Sequence, residues 1–125
     1  MRMFDLQDKI VLAVEKSLET ILSPNESNRP YPAENIADIS LDKNRLKKSR
    51  SLMRVNHAGE IAAQALYNGQ AVFARSEETI AHLEKSAEEE KDHLAWCAKR
   101  IAELEGKKSI LDPFWYLGSF TLGLV

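Results

Sequence analysis

The stretch Glu90-Lys91-Asp92-His93 is the part of the sequence that indicates most about the fold. A Glu and a His three residues apart lie on one face of an α-helix, so both side chains can reach the same metal ion. A single Glu, Glu60, lies thirty residues earlier. Four-helix bundles that hold two iron or manganese ions use this set twice, with one Glu on each of two helices and Glu-x-x-His on each of two others. The pattern therefore predicts half of such a site.

Two long helices are predicted around these residues. The first covers about residues 41–74 with Ser40 as its N-cap, and the second follows the N-cap Ser76 and runs to about Glu105, before Gly106. The break between them is at residue 75, midway between positions 60 and 90. In an antiparallel hairpin the two carboxylates are then equally far from the turn, roughly 22 Å at 1.5 Å per residue. We therefore expect them to face each other across the helix pair.

The first predicted helix is dense in small residues, which permits close packing of a neighbouring helix. Gly59 lies in its interior, where glycine costs about 1 kcal/mol relative to alanine. We therefore expect a close neighbour at Gly59.

Two facing carboxylates in a packed interior repel each other unless a proton or a cation lies between them. Oxygen ligands with a single imidazole suit iron or manganese better than structural zinc. The alternative is that the acidic residues between positions 88 and 92 form a solvated face while Glu60 points to water. Residues 55–73 contain no charged residue besides Glu60, which favours the metal site, with Glu60, Glu90 and His93 as ligands.

Several residues near these three have either a structural role or a role in the metal site as possible interpretations. Glu89 lies four residues before His93 and competes for the carboxylate position, although the symmetry about the turn favours position 90. His57 is interpreted as a core histidine or as a residue that supports the ligands. His82 is interpreted as a surface or core residue. Cys97 shares the face of His93 and reads as a small buried thiol rather than a metal ligand.

Length and composition indicate one domain, or part of one, of 125 residues and 14.1 kDa. The net charge of −2 gives no reason to expect nucleic-acid binding. The basic run over residues 43–54 reads as a solvated helix face or as a contact for anionic lipid. The single cysteine excludes an internal disulfide and suits a reducing compartment.

Both ends of the chain contain apolar segments. Residues from Phe4 to Leu22 have the spacing of an amphipathic helix, and three prolines mark a linker after it. No signal peptide is expected at the start, and no run reaches the roughly 18 apolar residues that cross a bilayer. The uncharged residues 114–125, after the break at Asp112-Pro113, are expected to meet lipid or another subunit, or to lead into a longer chain.

Four stretches together point to a family: residues 52–60 (LMRVNHAGE), 63–67 (AQALY), 89–97 (EEKDHLAWC) and 112–116 (DPFWY). In this order and at these separations they resemble the demethoxyubiquinone hydroxylase family, the ferritin-like di-iron monooxygenases of ubiquinone biosynthesis. The likeness covers about residues 41–125. It implies an all-α fold, a ferritin-like helical bundle, here with its first helical hairpin, an N-terminal helix and the start of an apolar helix.

The resemblance also implies an activity, a cofactor and partners. The activity is 3-demethoxyubiquinol hydroxylation, in which O2 supplies an oxygen atom to a polyprenylated benzoquinol. The cofactor is a di-iron centre, and the family's first-half ligands correspond to Glu60, Glu90 and His93, with Glu90 expected to bridge the metals. The family's location is peripheral, on the cytoplasmic face of the inner cell membrane. Accessory proteins of ubiquinone biosynthesis or a second copy are the partners that it implies.

Members of the family continue with a second lone-Glu helix and a second Glu-x-x-His helix, whereas this sequence has no acidic residue after Asp112. We therefore predict a truncated enzyme, with residues 1–22 as an N-terminal amphipathic helix, 23–40 as a linker and 41–125 as the first half of the di-iron domain. Two alternatives stay open: a homodimer that rebuilds the di-iron site, and an inactive half-site helical module that binds lipid or a partner.

Overall fold

The structure is a computed structural model that describes residues 5–22 and 26–125. It contains four helices in that part of the chain: α1 (Leu6–Leu22), α2 (Lys43–Phe73), α3 (Glu77–Glu103) and α4 (Asp112–Leu124). Helices α2 and α3 form an antiparallel hairpin, α4 packs along α2, and α1 contacts both α2 and α4. The all-α prediction is confirmed, and the helices are consistent with part of a ferritin-like bundle.

The N-terminal segments differ in their regularity. Helix α1 begins at Leu6, two residues after the predicted start at Phe4. Phe4 lies outside the described residues, and so do residues 23–25 of the predicted linker. The described remainder of that linker, residues 26–40, contains turns but no helix or strand. The division of the chain at residues 22 and 40 stays a prediction.

The N-caps of the hairpin helices follow the rule that a side-chain oxygen accepts from the first turn. Ser76 caps α3 as predicted, because its hydroxyl accepts from the Thr79 backbone N–H at 3.1 Å. The prediction of Ser40 for α2 is wrong. Asp42 is the N-cap, and its Oδ1 accepts from the Arg45 backbone N–H at 2.8 Å. A carboxylate also adds a favourable charge at the positive end of the helix dipole.

Helix α3 ends in a Schellman motif whose left-handed residue is Glu105, with φ of 57°. The Glu105 N–H donates to the Ala102 carbonyl at 3.0 Å, and the Gly106 N–H donates to the Ile101 carbonyl at 2.8 Å. The sequence predicts that the helix stops at Gly106, and the structure instead has Glu105 at the left-handed C′ position. Gly106 lies one position later, where a Cβ would be 3.2 Å from Arg50 Cγ. The glycine serves close packing against α2.

Two arginines of the basic run, residues 43–54, bind this end of the hairpin. Arg50 Nε donates to the Leu104 carbonyl, and Arg54 Nε donates to the Lys107 carbonyl at 2.9 Å. Both carbonyls lie just after α3, where no further helical N–H groups are available to bond them. Part of the run therefore holds the connection to α4 instead of forming a purely solvated face.

Helices α2 and α4 approach each other at a pair of glycines. A Cβ added to Gly123 would lie 2.5 Å from the Leu66 carbonyl oxygen and 3.1 Å from Gly69 Cα, and a Cβ added to Gly69 would overlap the Phe120 carbonyl oxygen. The close neighbour expected at Gly59 is not found among residues 5–22 and 26–125, because none of their heavy atoms lies within 4 Å of a Cβ built there. The close helix contact exists, but it lies ten residues further along α2, at Gly69.

One hydroxyl joins three of the helices. The Tyr116 side chain from α4 is buried, and its hydroxyl accepts from Asn68 Nδ2 of α2 at 3.0 Å. The same hydroxyl lies 2.9 Å from Ser17 Oγ of α1. Tyr116 also belongs to the main apolar cluster, with Ile61 and Leu94 among its neighbours. The hydrogen bonds fix α1 and α4 at one place on the hairpin.

Candidate metal centre

Glu60 of α2 and Glu90 and His93 of α3 meet across the hairpin. His93 Nδ1 lies 3.3 Å from Glu90 Oε2 and 3.8 Å from Glu60 Oε2. One ligand atom from each residue can be chosen so that all three lie within 4.8 Å of one another. The side chains are 26%, 21% and 41% exposed in the order Glu60, Glu90, His93, so the group lies partly sheltered at the surface of the hairpin. The structure thus brings together the three residues that the sequence pattern singles out.

The Glu60 carboxyl holds its proton more strongly than a free glutamate does. Burial raises the pKa of Glu60 to about 8, and Glu90 adds to the rise through a hydrogen bond and its negative charge. Burial also raises the pKa of the nearby Cys97 thiol, with further contributions from Glu60 and Glu90. The thiol is therefore held in its protonated form, which is a poor metal ligand. The carboxyl pair is stable when a proton lies between its members, and a cation can replace that proton.

The donor set fits a hard metal ion. Two carboxylates and one imidazole are donors that iron and manganese accept in bundle sites. Among residues 5–22 and 26–125, no Lys or Arg forms an ion pair with Glu60 or Glu90, and His93 is the only basic side chain beside them. The positive charge that would let both carboxyls ionise is therefore not supplied by an arginine or lysine. A bound cation would supply it.

The competing residues lie apart from this group. Glu89 is exposed and does not join the cluster, and His82 is also exposed. Cys97 is partly buried, as a small thiol in a helix interface should be. His57 is buried but is not one of the clustered residues.

His57 instead faces Asp112, a pairing that the sequence did not indicate. His57 Nδ1 lies 3.3 Å from Asp112 Oδ2, and both side chains are buried between α2 and α4. Burial lowers the pKa of His57 to about 4, with a smaller contribution from Lys108, and burial raises the pKa of Asp112. Burial therefore favours the neutral forms of both side chains. The sequence places Asp112 only at a helix break, since nothing local connects it with His57.

A second contact that the sequence did not indicate involves residues 26–38, named here the strap, which lie along α3. The buried carboxylate of Asp92 accepts from the Asn28 backbone N–H at 2.7 Å and from Arg29 Nε at 2.6 Å. Burial raises the pKa of Asp92, but the bonds from Arg29 and Asn28 outweigh it and hold the pKa below its usual value. Asp92, the residue directly before His93 in sequence, therefore anchors the strap to α3.

In the described ranges 5–22 and 26–125, none of the helices is both long enough and apolar enough to cross a bilayer.

Comparison with known proteins places the sequence among bacterial relatives. The family described as "Ubiquinone biosynthesis protein COQ7" matches residues 47–125. A protein of Nitrosomonas eutropha is 48% identical over 94% of this chain, one of Azoarcus sp. is 44% identical over 94%, and one of Xanthomonas oryzae pv. oryzae is 45% identical over 93%. All three are named 3-demethoxyubiquinol 3-hydroxylase. No solved structure matches the chain.

The matched parts cover 57%, 57% and 54% of those three relatives, so the chain spans somewhat more than half of their length. The match nevertheless includes both hairpin helices from residue 47 onward and all three clustered residues. The chain belongs to the COQ7 family of ubiquinone biosynthesis proteins.

Proposed function

We propose that this protein takes part in the hydroxylation of 3-demethoxyubiquinol, a polyprenylated benzoquinol, with O2 as the oxygen source. The observation that carries the proposal is the convergence of Glu60, Glu90 and His93 within 4.8 Å across the α2–α3 hairpin. Relatives that are 44–48% identical over most of the chain are named for this reaction. The cofactor proposed is iron, as a di-iron centre of which these three residues supply one half of the ligands.

The geometry and the ionisation of these three residues support the proposal. Glu60 would release its proton when a cation binds, so metal binding should be tighter at higher pH. His93 presents Nδ1 to both carboxylates, so this nitrogen would be the donor to a cation held between them. When bound, a di-iron centre would supply the reductive activation of O2 that the hydroxylation needs. Carboxylates suit it because they stabilise the higher oxidation state of iron.

The remaining half of the ligand set has two candidate sources. A full di-iron bundle uses a lone Glu and a Glu-x-x-His twice, and the described residues contain this set once. Either further polypeptide, as in the longer relatives, or a second copy of this chain would supply the rest. Iron stoichiometry together with oligomeric state separates these sources.

The test compares Glu90→Ala with Glu89→Ala, its exposed neighbour. We expect Fe(II), added without oxygen, to raise the melting temperature of the wild type and of Glu89→Ala but not of Glu90→Ala, because only position 90 lies in the cluster. Hydroxylation of a demethoxyubiquinol should follow iron binding. Two irons per dimer would support a site shared between copies. A monomer that binds no iron and forms no hydroxylated quinol would refute the proposal in favour of an inactive helical module.

We further propose that the protein docks on the cytoplasmic surface of the cell membrane through an apolar face made by α1 and α4. Exposed apolar side chains on this face include Ile10 and Val14 of α1 and Leu117 of α4, which are 49%, 53% and 64% exposed. Between the two helices lies an apolar groove of about 580 Å³, to which these three residues contribute. Trp115 on α4 is 48% exposed, and tryptophan favours the headgroup region of a bilayer. The same groove is the proposed entry for the prenyl tail.

The membrane proposal is tested by Leu117→Glu with Leu52→Glu as its control. Leu52 lies on α2, outside the groove, and is 55% exposed. Removing one large apolar contact from the lipid should weaken binding to phosphatidylcholine–phosphatidylglycerol vesicles by roughly tenfold or more. Cosedimentation measures the binding. Equal binding of the two variants would contradict the assignment of this face.

A further inference from the structure

One side chain of the strap reaches the surroundings of His93 from outside the hairpin. The guanidinium carbon of Arg29 lies 5.1 Å from the centre of the Trp96 ring. The Trp96 ring in turn lies 5.5 Å from the His93 ring, centre to centre, at an angle of 44°. Arg29, Trp96 and His93 therefore form a continuous row of contacts that ends at one of the clustered residues.

Arg29 is itself held in a defined place. Its Nε donates to Asp92 Oδ2 at 2.6 Å, and the Asp92 side chain is only 5% exposed. The neighbouring backbone N–H of Asn28 binds the other carboxylate oxygen at 2.7 Å. A charge-assisted bond to a buried carboxylate fixes a guanidinium better than an exposed ion pair does. The cation over the Trp96 ring is thus positioned by the fold and not by chance contact.

Trp96 has no polar anchor of its own. Its indole Nε1 is buried and has no hydrogen-bond partner among the described residues. The position of the ring therefore depends on the side chains that contact it, which include Arg29 and His93. His93 keeps 41% of its side chain exposed, so it has room to turn away from the carboxylates. Restricting that rotation lowers the loss of conformational freedom when His93 binds a metal ion.

We propose that Arg29 is a positioning residue for the metal centre, acting through Trp96 to hold the His93 imidazole with Nδ1 toward Glu60 and Glu90. The proposal rests on the proposed function in one respect, namely that His93 is a metal ligand. It gives the strap a role in the site, beyond connecting α1 to α2. Residues that orient a metal-bound histidine commonly change metal affinity by 10- to 100-fold.

The experiment measures Co(II) binding to the full chain by its visible ligand-field absorption, with melting temperature as a check on folding. We expect Arg29→Ala and Trp96→Ala each to weaken Co(II) binding by about tenfold and to alter the shape of the spectrum. Trp96→Phe keeps a ring in place and should stay within about twofold of the wild type. Because Arg29 acts on His93 only through Trp96, the double variant Arg29→Ala/Trp96→Ala should bind Co(II) no more weakly than Trp96→Ala does.

Asp38→Ala is the matched control. Asp38 joins the strap to α3 through Arg100, with bonds of 2.8 and 3.3 Å, and among the described residues the cation over the Trp96 ring is Arg29, not Arg100. The Asp38→Ala variant should leave the Co(II) affinity and the absorption spectrum unchanged. Equal weakening by Asp38→Ala and Arg29→Ala, or additive losses in the double variant, would overturn the proposal, because the strap would then act only on overall stability. If Arg29→Ala does not fold, Arg29→Gln takes its place, because a glutamine amide can still donate to Asp92 but puts no charge over Trp96: weaker Co(II) binding then supports the proposal, and unchanged affinity overturns it. A folded wild type that binds no Co(II) would overturn the proposed function itself.

Discussion

Gly69→Ala is expected to destabilise the protein by about 3 kcal/mol, near the upper end of the usual cost of overpacking. The added Cβ would overlap the Phe120 carbonyl oxygen and lie 3.2 Å from both the Phe120 carbonyl carbon and Gly123 Cα. All three are backbone atoms in the middle or last turn of α4, so no side-chain rotation can relieve the contact. The whole helix would have to move away from α2. Urea unfolding followed by circular dichroism measures the loss.

Gly59→Ala is the control for this prediction, because it makes the same chemical change in the same helix. In the part of the chain that the structure describes, no heavy atom lies within 4 Å of a Cβ at position 59. Alanine is favoured over glycine in a helix by about 1 kcal/mol, so this variant should be as stable as the wild type or more so. Similar urea midpoints for the two variants would show that α4 does not pack on α2 as closely as the structure indicates.

Glu60→Gln is expected to stabilise the metal-free protein above pH 8 and to remove part of its dependence on pH. The pKa of Glu60 is about 8 in the folded protein and about 4.5 in a free chain. Its contribution to stability is therefore fully present below pH 4.5 and is lost as the pH rises through 8. One pKa unit corresponds to about 1.4 kcal/mol. Because the side chain stays partly exposed, we expect a loss of only about 2 kcal/mol.

The measurement is the difference in unfolding free energy between the wild type and Glu60→Gln from pH 5 to pH 9. The difference removes the contribution of His57, whose pKa of about 4 makes the fold less stable as the pH falls below 6.5. Glu89→Gln should show the wild-type dependence, since position 89 is exposed. Fe(II) should reverse the trend for the wild type, because the ionised carboxylates bind it. Parallel curves for wild type and Glu60→Gln would contradict a shared proton at this pair.

The hairpin and the three clustered residues could be predicted because they depend on local regularities. The 3.6-residue period of a helix and one turn at residue 75 are sufficient to bring Glu60 opposite Glu90. The helix ends were less predictable. Ser40 and Asp42 both have oxygens suited to an N-cap, and only the path of the chain decides between them.

The contacts that could not be predicted join distant parts of the chain. Arg29 and Asp92 are 63 residues apart, and the strap between α1 and α2 has no repeating geometry from which its path could be derived. The pairing of His57 with Asp112 depends on the direction in which α4 returns along α2. Glycine at position 69 looks like any other helical glycine until that direction is known.

The shared hydroxyl of Tyr116 has a consequence for the order in which the chain assembles. Its bond to Asn68 spans 48 residues, and its contact with Ser17 spans 99. Closing a longer loop costs more entropy and slows the step that closes it. The hairpin should therefore form first, α4 should dock on it next, and α1 should dock last because its partner hydroxyl arrives with α4. Hydrogen exchange at the amides of α1 would then report on the final and most easily reversed step of folding.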